Sequence, residues 1–257
     1  MNLFGIIVLI LLLYIIYRIL YYLLSNPYTL QTLQNAQTAS TISASTLATN
    51  DGVASSNFAY SIWFYINDWN YRYGEPKVIF GRMGSQGKSK DPNRSIPGVS
   101  GLNPCPTVVL GAIDNNVTVA LSCYPGTNNK KTKQSSSGSN YVIHNCNISN
   151  VPIQRWVNLV LSVYGTTLDL YINGKLVRTC LLPGTANINN NADVYVTPQG
   201  GFNGWTSKFQ YFPNSLNPQE AWNIYNQGYG KNSWFNNDYS VQVSLLENGT
   251  EQTSFTL

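Results

Sequence analysis

Trp156-Val157-Asn158-Leu159-Val160-Leu161-Ser162-Val163, followed closely by Leu168-Asp169-Leu170-Tyr171-Ile172-Asn173-Gly174-Lys175, decides the fold. Val157, Leu159, Leu161 and Val163 recur at every second position, so they share one face of an extended strand. Gly165-Thr166 makes a turn, and Leu168, Leu170 and Ile172 repeat the alternation. Asn173-Gly174 then supplies the positive φ that a tight hairpin needs and sends the chain back through Leu176 and Val177. Two hairpins in succession make an antiparallel meander.

The same chemistry extends outward. Tyr60-Ser61-Ile62-Trp63-Phe64-Tyr65-Ile66 puts Tyr60, Ile62, Phe64 and Ile66 on one face and Ser61, Trp63 and Tyr65 on the other. Lys77–Phe80 is a short buried run. Thr107–Ile113 and Val117–Ser122 flank Asp114-Asn115-Asn116, residues that tolerate a hairpin turn. One helix interrupts the strands. Asn217 and Glu220 form a capping pair, Pro218 takes the first helical position, and Gly228 supplies the left-handed stop. Its Ala221, Trp222, Ile224 and Tyr225 are available to pack on a sheet. Helical periodicity is absent from most of the remaining chain, and no internal repeat is visible. The expected fold is an all-β antiparallel sandwich with one short helix.

Three blocks, in this order and spacing, carry a resemblance. They are Phe58–Ile66, the run from Trp156 to Lys175, and Gly201-Phe202-Asn203-Gly204-Trp205 through Phe209-Gln210-Tyr211-Phe212 to the helix that ends at Gly228. Together they resemble laminin-G-like domains of the concanavalin A-like superfamily, over Phe58–Gly228. The resemblance implies a jelly-roll of two antiparallel sheets. Thr206-Ser207-Lys208 stands where that family often has acidic residues, so no family-type metal site is expected there.

Upstream, Leu3–Leu24 is apolar or tyrosine apart from Gly5 and Arg18. As a helix it measures about 33 Å, against a bilayer hydrocarbon core of about 30 Å. A signal peptide is the competing reading, but the charge lies late and no small-residue cleavage pattern follows. Residues 1–24 are therefore expected to be a single-pass anchor, marked by Leu3, Leu13, Tyr17, Arg18, Tyr21, Tyr22 and Leu24. Arg18 reaches toward the headgroups among an aromatic belt and favours a cytoplasmic body, with orientation left open. Residues 25–56 turn polar and serve as a stalk or a first edge strand. Residues 57–257 form the sandwich with its C-terminal strands.

Composition narrows the function. Net charge is +4 with 10% charged residues, and the only basic cluster, Lys130, Lys131 and Lys133, sits in a Ser/Asn/Gly-rich loop. Nucleic acid is set aside as a partner. Sandwich-fold glycosidases need two carboxylates about 5–10 Å apart. Only 11 acids are present, and Glu247 and Glu251 straddle Asn248-Gly249 as the arms of a turn. No catalytic residue, metal site or cofactor is expected, and the lone His144 reads as a hydrogen-bonded or surface residue. Cys105 and Cys123 bracket the Asp114 hairpin, which leaves a disulfide or two buried thiols. Four Asn-x-Ser/Thr sequons, at Asn93, Asn116, Asn147 and Asn248, match the number expected by chance in so Asn-, Ser- and Thr-rich a chain.

Two functions remain. The chain's anchor, polar neck and Asn- and Tyr-rich, charge-poor body loosely resemble minor virion proteins of large DNA viruses. That resemblance implies a structural protein linking an internal virion membrane to a capsid or other shell protein. The loops Asn67–Gly74 and Ser85–Leu102, with Lys77, Lys88 and Lys90, would make the contacts. The alternative is a cell-surface glycan-binding or adhesion module that stacks sugars on Trp69, Tyr71 and Tyr73, residues that equally suit a packed loop core.

Overall fold

The computed structural model describes residues 10–18, 28–47, 56–83, 104–126, 133–134, 140–230, 242–247 and 250–256. The chain divides into two compact units, one of residues 26–229 and one of residues 1–25 with 230–257. In the second, residues 10–18 are helical and β15 (Gln242–Glu247) pairs with β16 (Thr250–Thr256) as an antiparallel hairpin. Of the expected anchor, Leu13, Tyr17 and Arg18 lie on exposed helix, while Leu3, Tyr21, Tyr22 and Leu24 fall outside the described residues. Among the described residues no helix is long and apolar enough to cross a membrane.

The 26–229 unit is a sandwich of two antiparallel sheets. One sheet runs in the order β1 (Thr29–Gln31), β14 (Asn203–Phe212), β4 (Phe58–Asp68), β10 (Trp156–Tyr164), β11 (Thr167–Ile172), β12 (Lys175–Leu181), and β2 (Gln34–Asn35) also pairs with β14. The other runs β3 (Ser40–Ile42), β13 (Val194–Val196), β5 (Lys77–Arg82), β6 (Thr107–Leu110), β7 (Val117–Cys123), β9 (Asn140–Ile148), β8 (Lys133–Gln134). The segment upstream of the sandwich thus contributes the edge strands β1, β2 and β3.

Alternation in sequence becomes layering in space. Tyr60, Ile62, Phe64 and Ile66 of β4 and Val157, Leu159, Leu161 and Val163 of β10 meet Ile79, Val108, Leu110, Val119 and Leu121 of the opposite sheet in one core. Each such side chain contributes about 1.5–3 kcal/mol when taken out of water. The hairpins turn where expected. Ile172 opposes Lys175 across Asn173 and Gly174, both at positive φ (51° and 73°).

The helix α1 (Pro218–Asn226) carries the full capping box: the Asn217 side chain accepts from Glu220 N–H, and the Glu220 carboxylate accepts from Asn217 N–H. Gly228, at φ 65°, follows its last turn. Ala221 and Ile224 pack on Val160 and Tyr171, which places the helix on the outer face of the β4–β10–β11 sheet. A Cβ on Gly174 would stand 2.8 Å from the Trp222 ring, so this glycine serves both the turn and the approach of the helix.

Candidate functional site

One row of outward positions on the β14–β4–β10 sheet is aromatic. Trp205 pairs directly with Tyr65, and Tyr65 pairs directly with Trp156. Residues directly opposite share a face, so the three rings form a row across three strands, its ends about 10 Å apart at strand spacings of about 4.8 Å. Trp205 is 45% exposed; Tyr65 and Trp156 are half-buried. The row continues as a ladder. Tyr65 and Trp156 centroids are 5.7 Å apart, Tyr229 stacks on Trp156 at 4.4 Å and 12°, and Trp63 stacks on Tyr225 at 5.6 Å and 19°. Ring contacts of this kind hold each partner in one orientation.

At the end of the row the surface turns polar. Asn203 opposes Asp68, Asn67 donates from its amide to the Asn203 side-chain Oδ1 at 3.2 Å, and Asn35 opposes Trp205. A partly exposed aromatic row, open at Trp205 and rimmed by amides there, offers a π face and hydrogen-bonding groups to a ligand that has both apolar and hydroxyl surfaces.

The loop expected to supply aromatic contacts is held to its own protein. Trp69 donates from Nε1 to the Ile113 carbonyl at 2.8 Å, and the Lys77 ammonium sits 5.0 Å over its ring. Tyr71 donates to the Gly200 carbonyl at 3.1 Å, while Arg72 donates to the carbonyls of Gln199 and Gly201 and pairs with Glu75 at 2.8 Å. Tyr73 alone of the three aromatics is exposed. Lys77 is buried, as the run Lys77–Phe80 suggested and against its use as a cross-linking contact, and burial followed by the Arg72 charge lowers its pKa. Lys88 and Lys90 lie outside the described residues, as do Asn93 and Asn248.

Of the two states left open for Cys105 and Cys123, the structure has the buried thiols. Cys146 on β9 and Cys180 on β12 form the disulfide, with Cα atoms 6.2 Å apart, while Cys105 and Cys123 are buried thiols. The hairpin register explains this. Thr107 opposes Ala120 and Pro104 accepts from Ser122 N–H at 2.9 Å, so Cys105 and Cys123 are offset by one residue. Burial, then the neighbouring Cys123, raises the Cys105 pKa well above the thiol range, and burial pushes Cys123 up to about 12. Ellman's reagent at pH 8 is expected to find no reactive thiol in the folded protein and two in denaturant. Rapid labelling of the native chain would contradict this. Ionisation favours the unfolded chain, so stability from these thiols is complete below the ordinary thiol pKa of about 8.5 and declines as pH rises above it.

His144 on β9 is half-buried, and burial followed by Arg178 lowers its pKa. Among the described residues no group of three His, Cys, Asp or Glu side chains could hold a metal. Glu247 and Glu251 lie on the opposite arms of the β15–β16 hairpin.

No protein-family model matches the chain, and no curated protein matches it. Solved structures do. The ligand binding domain of botulinum neurotoxin serotype D, in complex with N-acetylneuraminic acid, superimposes with a TM-score of 0.50 at 12% identity, over 77% of this chain and 42% of that chain. The receptor binding domain of the C/D mosaic serotype gives 0.49 at 13% identity, over 77% and 42%. The binding domain of botulinum neurotoxin DC in complex with SialylT gives 0.45 at 17%, over 66% and 35%. This chain thus spans well under half the length of these neighbours. The first likeness establishes a shared β-sandwich architecture.

Aromatic residues on the second face of β4 and at the head of β10 were visible as period-two positions. Their alignment with Trp205 was not, because it depends on which distant strands pair.

Proposed function

We propose that this chain is a non-catalytic recognition module that binds glycans on the Trp205–Tyr65–Trp156 row, held at a membrane by residues 3–24. The observation that carries the reading is the row itself: three aromatic side chains in direct cross-strand register on the outer sheet face beside α1, Trp205 45% exposed at one end and Trp156 stacked under Tyr229 at the other. Large exposed aromatics stack on the apolar faces of sugar rings, and the adjoining amides suit their hydroxyls. The serotype D ligand binding domain, solved with N-acetylneuraminic acid, is a binding protein built on the same architecture, which supports a recognition role. The choice of ligand class rests on the row.

The shell-linking reading drew on the anchor and composition and placed its contacts on two loops. In Asn67–Gly74 the side chains of Trp69, Tyr71 and Arg72 are engaged within the molecule, and Ser85–Leu102 lies outside the described residues. The same engagement removes Trp69 and Tyr71 as sugar platforms, so the glycan reading is preferred on the Trp205–Tyr65–Trp156 row alone.

Trp205→Ala and Tyr65→Ala are each expected to weaken oligosaccharide binding by about tenfold, measured on a glycan array and by titration. Trp205→Ala should leave the melting temperature within a few degrees, since its indole is already half in water. Wild-type protein that binds no glycan, or binding indifferent to both substitutions, would sink the assignment. Cross-links to a shell protein in intact membrane-bearing particles would then favour the architectural role.

A further inference from the structure

A second, chemically different cavity opens between β9 and the free edge of β12. It encloses about 250 Å³ and is lined by Ile148, Val151, Pro152, Ile172 and Val177, with Arg178 at its mouth. Its wall is built. The Asn115 carbonyl accepts from Val151 N–H at 2.8 Å, and the Asn115 amide donates to the Val151 carbonyl at 3.1 Å, which pins the strap from Ser149 to Pro152. The Cys146–Cys180 disulfide ties the two strands together beside it.

Arg178 is the informative group. Its guanidinium donates to the Asn147 carbonyl at 2.7 Å, and among the described residues no carboxylate forms an ion pair with it. Asp169, on the neighbouring strand, is engaged by the Thr179 hydroxyl at 2.6 Å. A guanidinium presents five donors in a planar fork, so one carbonyl leaves most of that capacity unused. The fork matches a carboxylate in two parallel bonds. Exposed amides and a hydroxyl on Asn147, Ser149 and Asn150 complete the lining beside the apolar residues.

We propose that this cavity is a subsite for the carboxylate of an acidic sugar, such as a uronic acid unit, with Arg178 as the carboxylate-binding residue. It deepens the glycan reading above and rests on it for the class of ligand, but it uses different residues. The carboxylate would pair with the guanidinium, the hydroxyls with the amide rim, and the less polar ring face with Val177 and Ile172. Binding at this subsite would make the module select acidic over neutral glycans.

The test uses the full chain in detergent micelles, made in a host that does not glycosylate the Asn147 sequon. Methyl β-glucuronide and methyl β-glucoside differ only in the carboxylate, and their affinities are compared by ligand-observed saturation-transfer NMR. The glucuronide is expected to bind about three- to fivefold tighter, as a hydrogen-bonded charge pair on an exposed guanidinium implies. Arg178→Gln should erase the preference, Arg178→Lys should keep part of it, and Trp205→Ala should leave it intact. Equal binding of the two glycosides, or a preference that survives Arg178→Gln in a variant with native melting behaviour, would overturn the proposal. Sodium sulfate that binds as tightly as the glucuronide and displaces it would also overturn it, by showing a simple anion site. Oligosaccharide binding lost in Trp205→Ala without any glucuronide preference would overturn the subsite alone. A glucuronide preference without binding at the aromatic row would overturn the row alone.

Discussion

Gly204→Ala is expected to abolish cooperative folding of the sandwich or lower its melting temperature by about 8–16 °C. A Cβ at this position would stand 1.8 Å from the Tyr65 carbonyl oxygen and 3.2 Å from the Phe202 ring, and the residue sits at φ 155°. The obstacle is backbone. Gly204 lies where β14 shifts register against β4, between Asn203 opposite Asp68 and Trp205 opposite Tyr65, so relief would tear the ladder that joins the two strands. A loss of about 4 kcal/mol is at the upper end for a single substitution and comparable to the whole stability of a marginal domain. For a unit of this size that converts to the stated shift at about 2–4 °C per kcal/mol. The measurement is a thermal melt followed by circular dichroism. A transition within 2 °C of wild type would show that the strands part more easily than this packing allows.

Removing the Cys146–Cys180 bridge is expected to cost about 3–4 kcal/mol. The bridge closes a loop of 34 residues in sequence, and the chain-entropy treatment for such a loop gives about that value. Cys146→Ala with Cys180→Ala should lower the melting temperature by about 6–16 °C. Reductant added to the wild type should do the same and add nothing to the double variant. Identical melts with and without reductant, with the thiols shown by alkylation to be reduced, would remove the bridge from the account of stability. The affected region should be specific, because β12 is an edge strand and its other lateral partner is only β11.

Much of this architecture was legible because its determinants are local. Alternation in Tyr60–Ile66 and Val157–Val163, the Asn173-Gly174 turn and the Asn217/Glu220 cap each act within a few residues, and each specifies its element without reference to the rest. What escaped depends on partners far away in the chain. Trp205, Tyr65 and Trp156 become one surface only through the registers of β14 and β10 on β4. Cys146 finds Cys180 only because the margins of two different sheets face each other. Trp69 stayed open between a sugar platform and a packed loop core because an aromatic residue in a loop looks the same whether it faces water or its own protein; a hydrogen bond to Ile113 settles the matter. Ser61 and Trp63, on the outward face of β4, are buried as well: Tyr225 stacks on Trp63, and Asn158 donates to the Ser61 hydroxyl.

The place of β14 bears on how the protein is made. This strand, the last of its unit, lies between β1 and β4, both of which precede it by well over a hundred residues. A ribosome adding about 5–20 residues per second delivers Asn203 about 7–27 s after Asp68. Through that interval the early strands wait for the neighbour they share, and Phe64 and Tyr60 lack the Phe202 and Phe209 rings that later cover them. A nascent chain stalled short of Asn203 therefore presents two unzipped flanks and an open greasy seam, which marks it for holding by chaperones until synthesis is complete.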